Sequence, residues 1–381
     1  MAGSLHQCLG LFKRLHSPGV SPWRSNILQR VQSCIFRSET CNTNRSFSTS
    51  SQNLERILIT GSLGQLGPGI AKQLREQHGQ ENVVMSDVIK APEKTHTKGP
   101  YIYVDILDYK NLQSVIVNYN IDTIVHFSAL LSAIGEHNVS EALKINIYGF
   151  HNIIEVCRRY GLKLFSPSTI GAFGIDSPRN PTPDLTIQRP RTIYGVAKVH
   201  MELMGEYYNH RYGLDFRSAR FPGVISAFTA PGGGTTDYAV EIFHSALRTG
   251  EFICDLGPDT RLPMIYLPDV IRATTEMLSA SADNLSIRTY NIAAMSFTPD
   301  EIADAVRKYI PDLKIKYELD PLRQKIADGW PQVLDDSNAR RDWGWSHDYD
   351  LDGMVREMLT LLAPTYKKDI PLLNKASSVL Q

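Results

Sequence analysis

The sequence predicts an α/β protein: a Rossmann-type doubly wound parallel sheet with a smaller C-terminal α/β substrate-binding portion. Two observations carry that prediction. From Arg56 to Phe221, short β-branched runs alternate with amphipathic segments of helical length, the pattern of βαβ units. The first run leads directly into a loop with glycine at every third position, Gly61, Gly64 and Gly67, the joint at which such sheets hold phosphates. At 42% hydrophobic, the 381-residue chain can bury a sizeable core. Its 40 basic residues balance 40 acidic ones, which argues against a nucleic-acid binder held by a general basic field.

Taken in chain order, residues 56–60 (RILIT) read as a buried strand and 70–78 as a helix, with further strands at 82–86, 101–104 and 123–127. A long helical pattern covers about 139–160, then a strand at 163–165, helical spacing over 191–212 and a strand at 215–221. Residues 54–222 are therefore assigned to a dinucleotide domain. Beyond Phe221 the texture changes: Pro231-Gly232-Gly233-Gly234 is a flexible loop, and Pro258, Pro263 and Pro268 punctuate the next forty residues or so. Helices are expected at 237–248, 268–280, 299–309 and 351–362, with a strand at 289–292. Residues 223–363 should form a substrate-binding portion interleaved with the first domain, and 364–381 a loosely held tail.

Residues 1–50 are a separate object. They hold six of the basic residues and a single acid, Glu39, together with many serines and three of the five cysteines. An Arg- and Ser-rich, acid-poor leader without a long apolar centre reads as a mitochondrial transit peptide and predicts a matrix location. Arg45-Ser46-Phe47-Ser48 would place the mature start near residue 48. Removing one acid and six bases leaves a net charge of −5. Only Cys157 and Cys254 then remain, far apart in sequence, so no zinc site and no redox pair is expected. No stretch approaches the ~20 apolar residues of a membrane helix.

The loop Gly61-Ser62-Leu63-Gly64-Gln65-Leu66-Gly67 has the arrangement of a dinucleotide site. Gly61 permits the tight turn, Gly64 lets the backbone approach a pyrophosphate and Gly67 lets helix and strand pack closely. Pro68 sits near the first helical position, where the free N–H groups and dipole favour a phosphate. Asp87 lies twenty residues past Gly67, at the end of the second strand. A carboxylate there accepts both ribose hydroxyls and repels a 2′-phosphate, favouring NAD over NADP. Asp105 and the adjoining Ile106, after the third strand, are candidates for the adenine end.

Tyr194-Gly195-Val196-Ala197-Lys198 puts a phenol and an ammonium one helical turn apart on one face. A free tyrosine, pKa ~10, is a poor base at neutral pH. A nearby lysine and a cationic nicotinamide both favour the phenolate, which can take a proton from an alcohol as hydride leaves.

TGxxGxxG at 60–67, Asp87, Asn146-Ile147-Tyr148-Gly149, the segment 165–174 (FSPSTIGAFG) and YxxxK together resemble the extended short-chain dehydrogenase/reductases. That resemblance covers about residues 55–360. It implies that Thr169, with Ser168 as its runner-up, hydrogen-bonds the substrate oxygen. It implies too that Asn146 interrupts the fourth helix and helps organise a proton relay, and that Lys198 holds the nicotinamide ribose. Phe221-Pro222-Gly223-Val224 is similar to the segment beside the nicotinamide, which makes Val224 a cofactor residue.

The substrate is narrowed by a short loop. Residues 231–238 (PGGGTTDY) offer backbone N–H groups and small hydroxyls suited to a small anion. With 130–133 (LLSA), 177–180 (SPRN) and 262–266 (LPMIY), this loop resembles the L-threonine-oxidising branch of the family, and the leader agrees. The resemblance implies oxidation of L-threonine at C3 to 2-amino-3-oxobutyrate, coupling to a 2-amino-3-ketobutyrate CoA ligase, and a homodimer formed through 139–160 and 191–212. Ser132, Thr235 and Thr236 are candidates for the amino-acid groups, and Arg179 for clamping the carboxylate or locking a closed loop. Arg261 supports a rival: related nucleotide-sugar epimerases and dehydratases often use an arginine in this neighbourhood for a diphosphate. A second rival, a non-catalytic NAD-binding assembly or sensor protein, is disfavoured by the intact Tyr194 and Lys198.

Overall fold

The structure, a computed structural model, describes residues 54–92, 98–229 and 234–373. The basic leader and loop residues 231–233 lie outside the described residues. β1 (Ile57–Thr60) runs into the glycine loop and α1 (Gly67–His78). β2 (Val83–Asp87), β3 (Tyr101–Tyr103), α2 (Tyr109–Tyr119) and β4 (Thr123–His126) follow. Next come the short helices α3 (Ser132–His137) and α4 (Val139–Leu143), a π-helical turn at Lys144–Gly149 and α5 (Phe150–Tyr160). β5 (Lys163–Phe165), the two-residue β6 (Ser168–Thr169), α6 (Ile193–Tyr212) and β7 (Phe216–Phe221) complete the first stretch.

The second stretch contains β8 (Gly223–Ile225), α7 (Tyr238–Arg248), β9 (Glu251–Cys254), β10 (Leu262–Tyr266) and α8 (Leu267–Ser279). It continues with β11 (Thr289–Asn291), β12 (Met295–Phe297), α9 (Pro299–Arg307) and β13 (Lys314–Tyr317). α10 (Pro321–Asp328), α11 (Ser337–Trp343) and α12 (Leu351–Leu362) close it.

The main sheet has the order β3-β2-β1-β4-β5-β7-β11, with β6 pairing beside β7, and its pairings are parallel. The expected doubly wound parallel sheet is therefore what the chain forms. Alternate strand residues divide between two cores, as a period of two requires. Leu58, Val84, Ile124 and Leu164 face α2, α5 and α6, whereas Ile59, Val83, Met85 and Val125 face α1, α8 and α11.

The C-terminal residues are not a detached substrate portion. β11 extends the main sheet, α8 packs on α1, and only the remainder gathers around a third core with α7, α9 and α12. A small β8-β10-β12 sheet and the β9-β13 pair belong to that remainder. β10 contains Pro263, which disguises it in the sequence; its neighbours are one parallel and one antiparallel strand. The expected loose tail is corrected in part. Within 364–373, Ile370 is buried in the third core and the Tyr366 hydroxyl lies 2.9 Å from His244 Nδ1, because the apolar residues after α12 fold back onto it.

α6 carries an unusual constraint at Gly205. A Cβ there would lie 2.1 Å from the ring of Phe216 on β7. Alanine ordinarily stabilises a helix interior over glycine by about 1 kcal/mol. Here overpacking of a fixed aromatic, typically ~1–3 kcal/mol, outweighs that gain. Gly205→Ala should therefore lower the midpoint of chemical denaturation; a raised midpoint would refute the packing argument.

Candidate active site

The site lies at the carboxyl edge of the main sheet, where β1, β2, β4, β6 and β7 end. The turn after β1 needs glycine for two separate reasons. Gly61 has φ +64°, and a Cβ on it would come within 2.6 Å of the Ser128 nitrogen. A Cβ on Gly67 would sit 2.2 Å from the Ser62 carbonyl oxygen, so α1 packs against the loop only without one. The loop closes with Gly64 N–H donating to the Gly61 carbonyl at 3.2 Å. α1 begins at Gly67 with no side-chain cap and Pro68 in its first turn, leaving N–H groups available to a phosphate. Ser62 Oγ is buried without a hydrogen-bond partner among the described residues.

Asp87 stands at the end of β2 beside this loop, its carboxylate accepting from Leu63 N–H at 3.1 Å and Val88 N–H at 2.8 Å. It keeps lone pairs for a ligand, since a carboxylate has about four acceptor positions. An uncapped helix start, an unpartnered buried hydroxyl and an oriented acid fit a dinucleotide. Gly61, Gly64, Gln65, Leu66 and Val224 line a cavity of about 230 Å³ that also reaches Thr169, Tyr194 and Lys198. Leu63 is partly buried against the α1 side core. Asp105 accepts from Leu107 N–H at 2.9 Å and stays half-buried. The Ile106 side chain is buried in the opposite core, closing on Gly149, and its carbonyl accepts from the Asn152 side chain at 2.9 Å.

α6 starts with Thr192 capping Gly195 N–H, which places Tyr194 in the first turn at the cleft wall. Thr169 Oγ1 accepts from Gly171 N–H at 3.1 Å and shares the cavity wall with the Tyr194 phenol. Burial pushes the phenol up to about 12, and the neighbouring Thr169 hydroxyl opposes that shift. The Lys198 ammonium lies 5.7 Å from the centroid of the Tyr194 ring and donates to the Pro167 carbonyl at 2.6 Å. Burial lowers it to about 8, against the pull of the Glu202 carboxylate. His126, at the end of β4, contacts Thr60 Oγ1 through Nδ1 at 2.8 Å. Burial first and the Lys198 charge second hold it neutral, at about 3.

Asn146 lies in the π-helical turn. Its side chain bonds Leu130 twice, accepting from N–H at 2.8 Å and donating to the carbonyl at 2.9 Å. It therefore secures the loop that presents Leu131 and Ser132 to the cleft, and π turns commonly mark such positions.

A second cavity of about 380 Å³ adjoins the first and is lined by Ser132, Thr169, Tyr194, Thr235, Thr236 and Trp330. Ser168 donates its hydroxyl proton to the buried Glu202 carboxylate and also lines the first cavity. Arg179 is corrected as a carboxylate clamp: its guanidinium donates to the Trp330 carbonyl at 2.8 Å and the Ala327 carbonyl at 3.4 Å, and it does not line the cleft. Those bonds tie the Arg179 loop to the end of α10. Arg261 donates to the Ser296 carbonyl and pairs with Glu301, away from both cavities. The diphosphate reading thereby loses its residue.

Glu202, Trp330 and Asp237, which lines the second cavity, escaped the sequence reading. Only Glu202 left a signal, its i+4 spacing from Lys198. No group of three or more metal-ligating side chains occurs among the described residues.

The comparisons with known proteins agree with this geometry. Residues 57–293 match the model of the NAD dependent epimerase/dehydratase family. The chain belongs to that family. NAD is accordingly its cofactor, and the protein is an NAD-dependent oxidoreductase. It is 62% identical over 314 residues to a mitochondrial L-threonine 3-dehydrogenase of Bos taurus, covering 82% of this chain and 84% of that one. The crystal structure of an L-threonine dehydrogenase from Phytophthora infestans is 48% identical with a TM-score of 0.79, over 82% of this chain and 100% of that one. The holo form of a GalE-like L-threonine dehydrogenase from Cupriavidus necator is 45% identical with a TM-score of 0.77, over 81% and 99%.

For this epimerase/dehydratase family member, Asp87→Ser removes the charge expected to hold the ribose hydroxyls and exclude a 2′-phosphate. A charge-assisted hydrogen bond is worth ~1.5–3 kcal/mol, so the affinity for NAD should fall roughly 10- to 100-fold and the NADP-to-NAD ratio should rise. An unchanged ratio in a binding titration would remove Asp87 from the site.

Proposed function

We propose that the protein oxidises L-threonine at C3, the reaction being L-threonine plus NAD⁺ to 2-amino-3-oxobutyrate plus NADH and a proton. The single observation that carries this reading is that Thr169 and Tyr194 line both the glycine-loop cavity, where Lys198 stands beside them, and a second cavity of small-substrate size. The similarity to proteins named for that activity supports the choice of substrate.

Thr169 and Tyr194 hold the reacting hydroxyl between them. Lys198 stabilises the phenolate of Tyr194, which takes the hydroxyl proton at its oxygen. Bound NAD⁺ supplies the hydride acceptor. Ser132, Thr235 and Thr236, with nearby backbone N–H groups, receive the carboxylate and ammonium. Arg179 acts at one remove, holding Trp330 against the cleft. Asn146 keeps the Leu130 loop in place and supports the proton path. The product is a β-keto acid, suited to thiolytic cleavage by a 2-amino-3-ketobutyrate CoA ligase to glycine and acetyl-CoA, or to decarboxylation to aminoacetone. The basic leader supports delivery to the mitochondrial matrix.

A homodimer is part of the same reading. α6 leaves Val196, Leu203 and Tyr207 exposed along one face, and the π turn before α5 leaves Tyr148 exposed, apolar surface suited to a second copy of the chain. Leu203→Arg should convert the protein to a monomer in sedimentation, and an unaltered mass would place the contact elsewhere.

The base must be deprotonated to act, and Tyr194 is raised in the free protein. Activity is therefore lost as pH falls, and kcat/KM for L-threonine should climb through the neutral and alkaline range. Lys198→Met removes the cation that favours phenolate and should move that rise upward by about one pH unit or more. An identical profile would deny Lys198 this role, and the absence of NADH formation from L-threonine would send the substrate assignment back to a nucleotide sugar.

A further inference from the structure

Behind the reacting wall lies a buried ion pair that the chemistry above does not use. Glu202 and Arg220 are 1% and 3% exposed. Arg220 Nε and Nη2 each donate to one Glu202 oxygen at 2.9 Å, a two-pronged contact. The Gln188 side chain adds a third bond at 2.8 Å, and the Ser168 hydroxyl a fourth. Arg220 Nη1 continues to the Asp184 carbonyl at 2.7 Å and Asn291 Oδ1 at 3.2 Å. The carboxylate is thus fully engaged, as a buried charge must be.

The position of Ser168 gives the pair its consequence. It is flanked by Pro167, whose carbonyl holds Lys198, and by Thr169, which shares the cavity wall with Tyr194. Within the β6–β7 pairing, Ser168 is the register partner of Arg220 and Thr169 that of Phe221. Two residues of strand pairing are too few to define this segment alone. Glu202 also sits one turn beyond Lys198 on α6, so the carboxylate ties helix and strand together at the place where their reactive groups meet.

We propose that the buried Glu202–Arg220 pair positions the catalytic groups through Ser168, setting the Pro167 carbonyl and the Thr169 hydroxyl against Lys198 and Tyr194. Glu202 and Ser168 act here as positioning residues: the Ser168 hydroxyl is engaged by Glu202, although the residue itself lines the first cavity. The proposal rests on the catalytic reading of Tyr194, so the experiment includes a variant that tests that reading separately.

Steady-state kinetics of the full chain with L-threonine and NAD⁺ would compare Tyr194→Phe, Ser168→Ala, Glu202→Gln and the Ser168→Ala/Glu202→Gln double variant, with thermal midpoints for each. Ser168→Ala leaves the ion pair intact and cuts only its link to β6. It should lower kcat roughly tenfold, the scale of a small misplacement of reacting groups, with KM for both substrates nearly unchanged and the midpoint preserved. The double variant should be no slower than Glu202→Gln alone, because the two act in series. An unchanged kcat in Ser168→Ala, a raised KM at unchanged kcat, or multiplicative losses in the double variant would each overturn the proposal. Should Glu202→Gln fail to fold with Arg220 left unpaired, the kcat-against-KM split of Ser168→Ala decides alone. Activity retained by Tyr194→Phe would instead refute the catalytic reading, whatever Ser168→Ala does.

Discussion

β1 lies inside the main sheet, and the geometry of the active edge comes from its register. It is paired in parallel with β2 on one side and β4 on the other, Thr60 lying level with Ser86 and His126. Parallel register sends every strand end to the same edge, and the crossover helices return the chain to the opposite one. The glycine loop, Asp87 and the Ser168–Thr169 strand therefore converge, although more than a hundred residues separate the first from the last. Shifting β1 by a single residue would exchange its two apolar faces, and both cores forbid that.

Around this edge the chain concentrates charge that burial disfavours. Lys198 and Glu202 are both buried, one turn apart on α6. Lys198 is held by a carbonyl and Glu202 by Arg220. His126 is kept neutral beside them. A cation placed against a phenol in a dry wall strengthens their coupling, since water no longer screens it. The same dryness makes each unpaired group expensive, which explains the density of hydrogen bonds between α6, β6 and β7.

The legibility of the fold varied with the range of the interactions involved. The alternation from Arg56 to Phe221 is a local signal, and the strands and helices it implies are present. β10 was hidden because Pro263 reads as a strand breaker, yet it lies inside the small sheet. β11 was visible as a strand, but nothing local says that it joins the main sheet beside β7. The packed segment after α12 was hidden for the same reason: Ile370 is buried by residues far away in sequence.

Sequence alone dictated what one element or one turn can carry: the spacing of Gly61, Gly64 and Gly67, the acid after β2, and a phenol and an ammonium on one helical face. These are short-range features, set by steric limits on the backbone and the period of a helix. Tertiary packing chose which solitary polar residues meet. It turned Ser168 onto Glu202, sent Arg179 to the carbonyl of Trp330 and occupied Arg261 with Glu301. A side chain's partner depends on what packs across from it, and a buried charge takes whichever partner the fold brings within hydrogen-bonding distance.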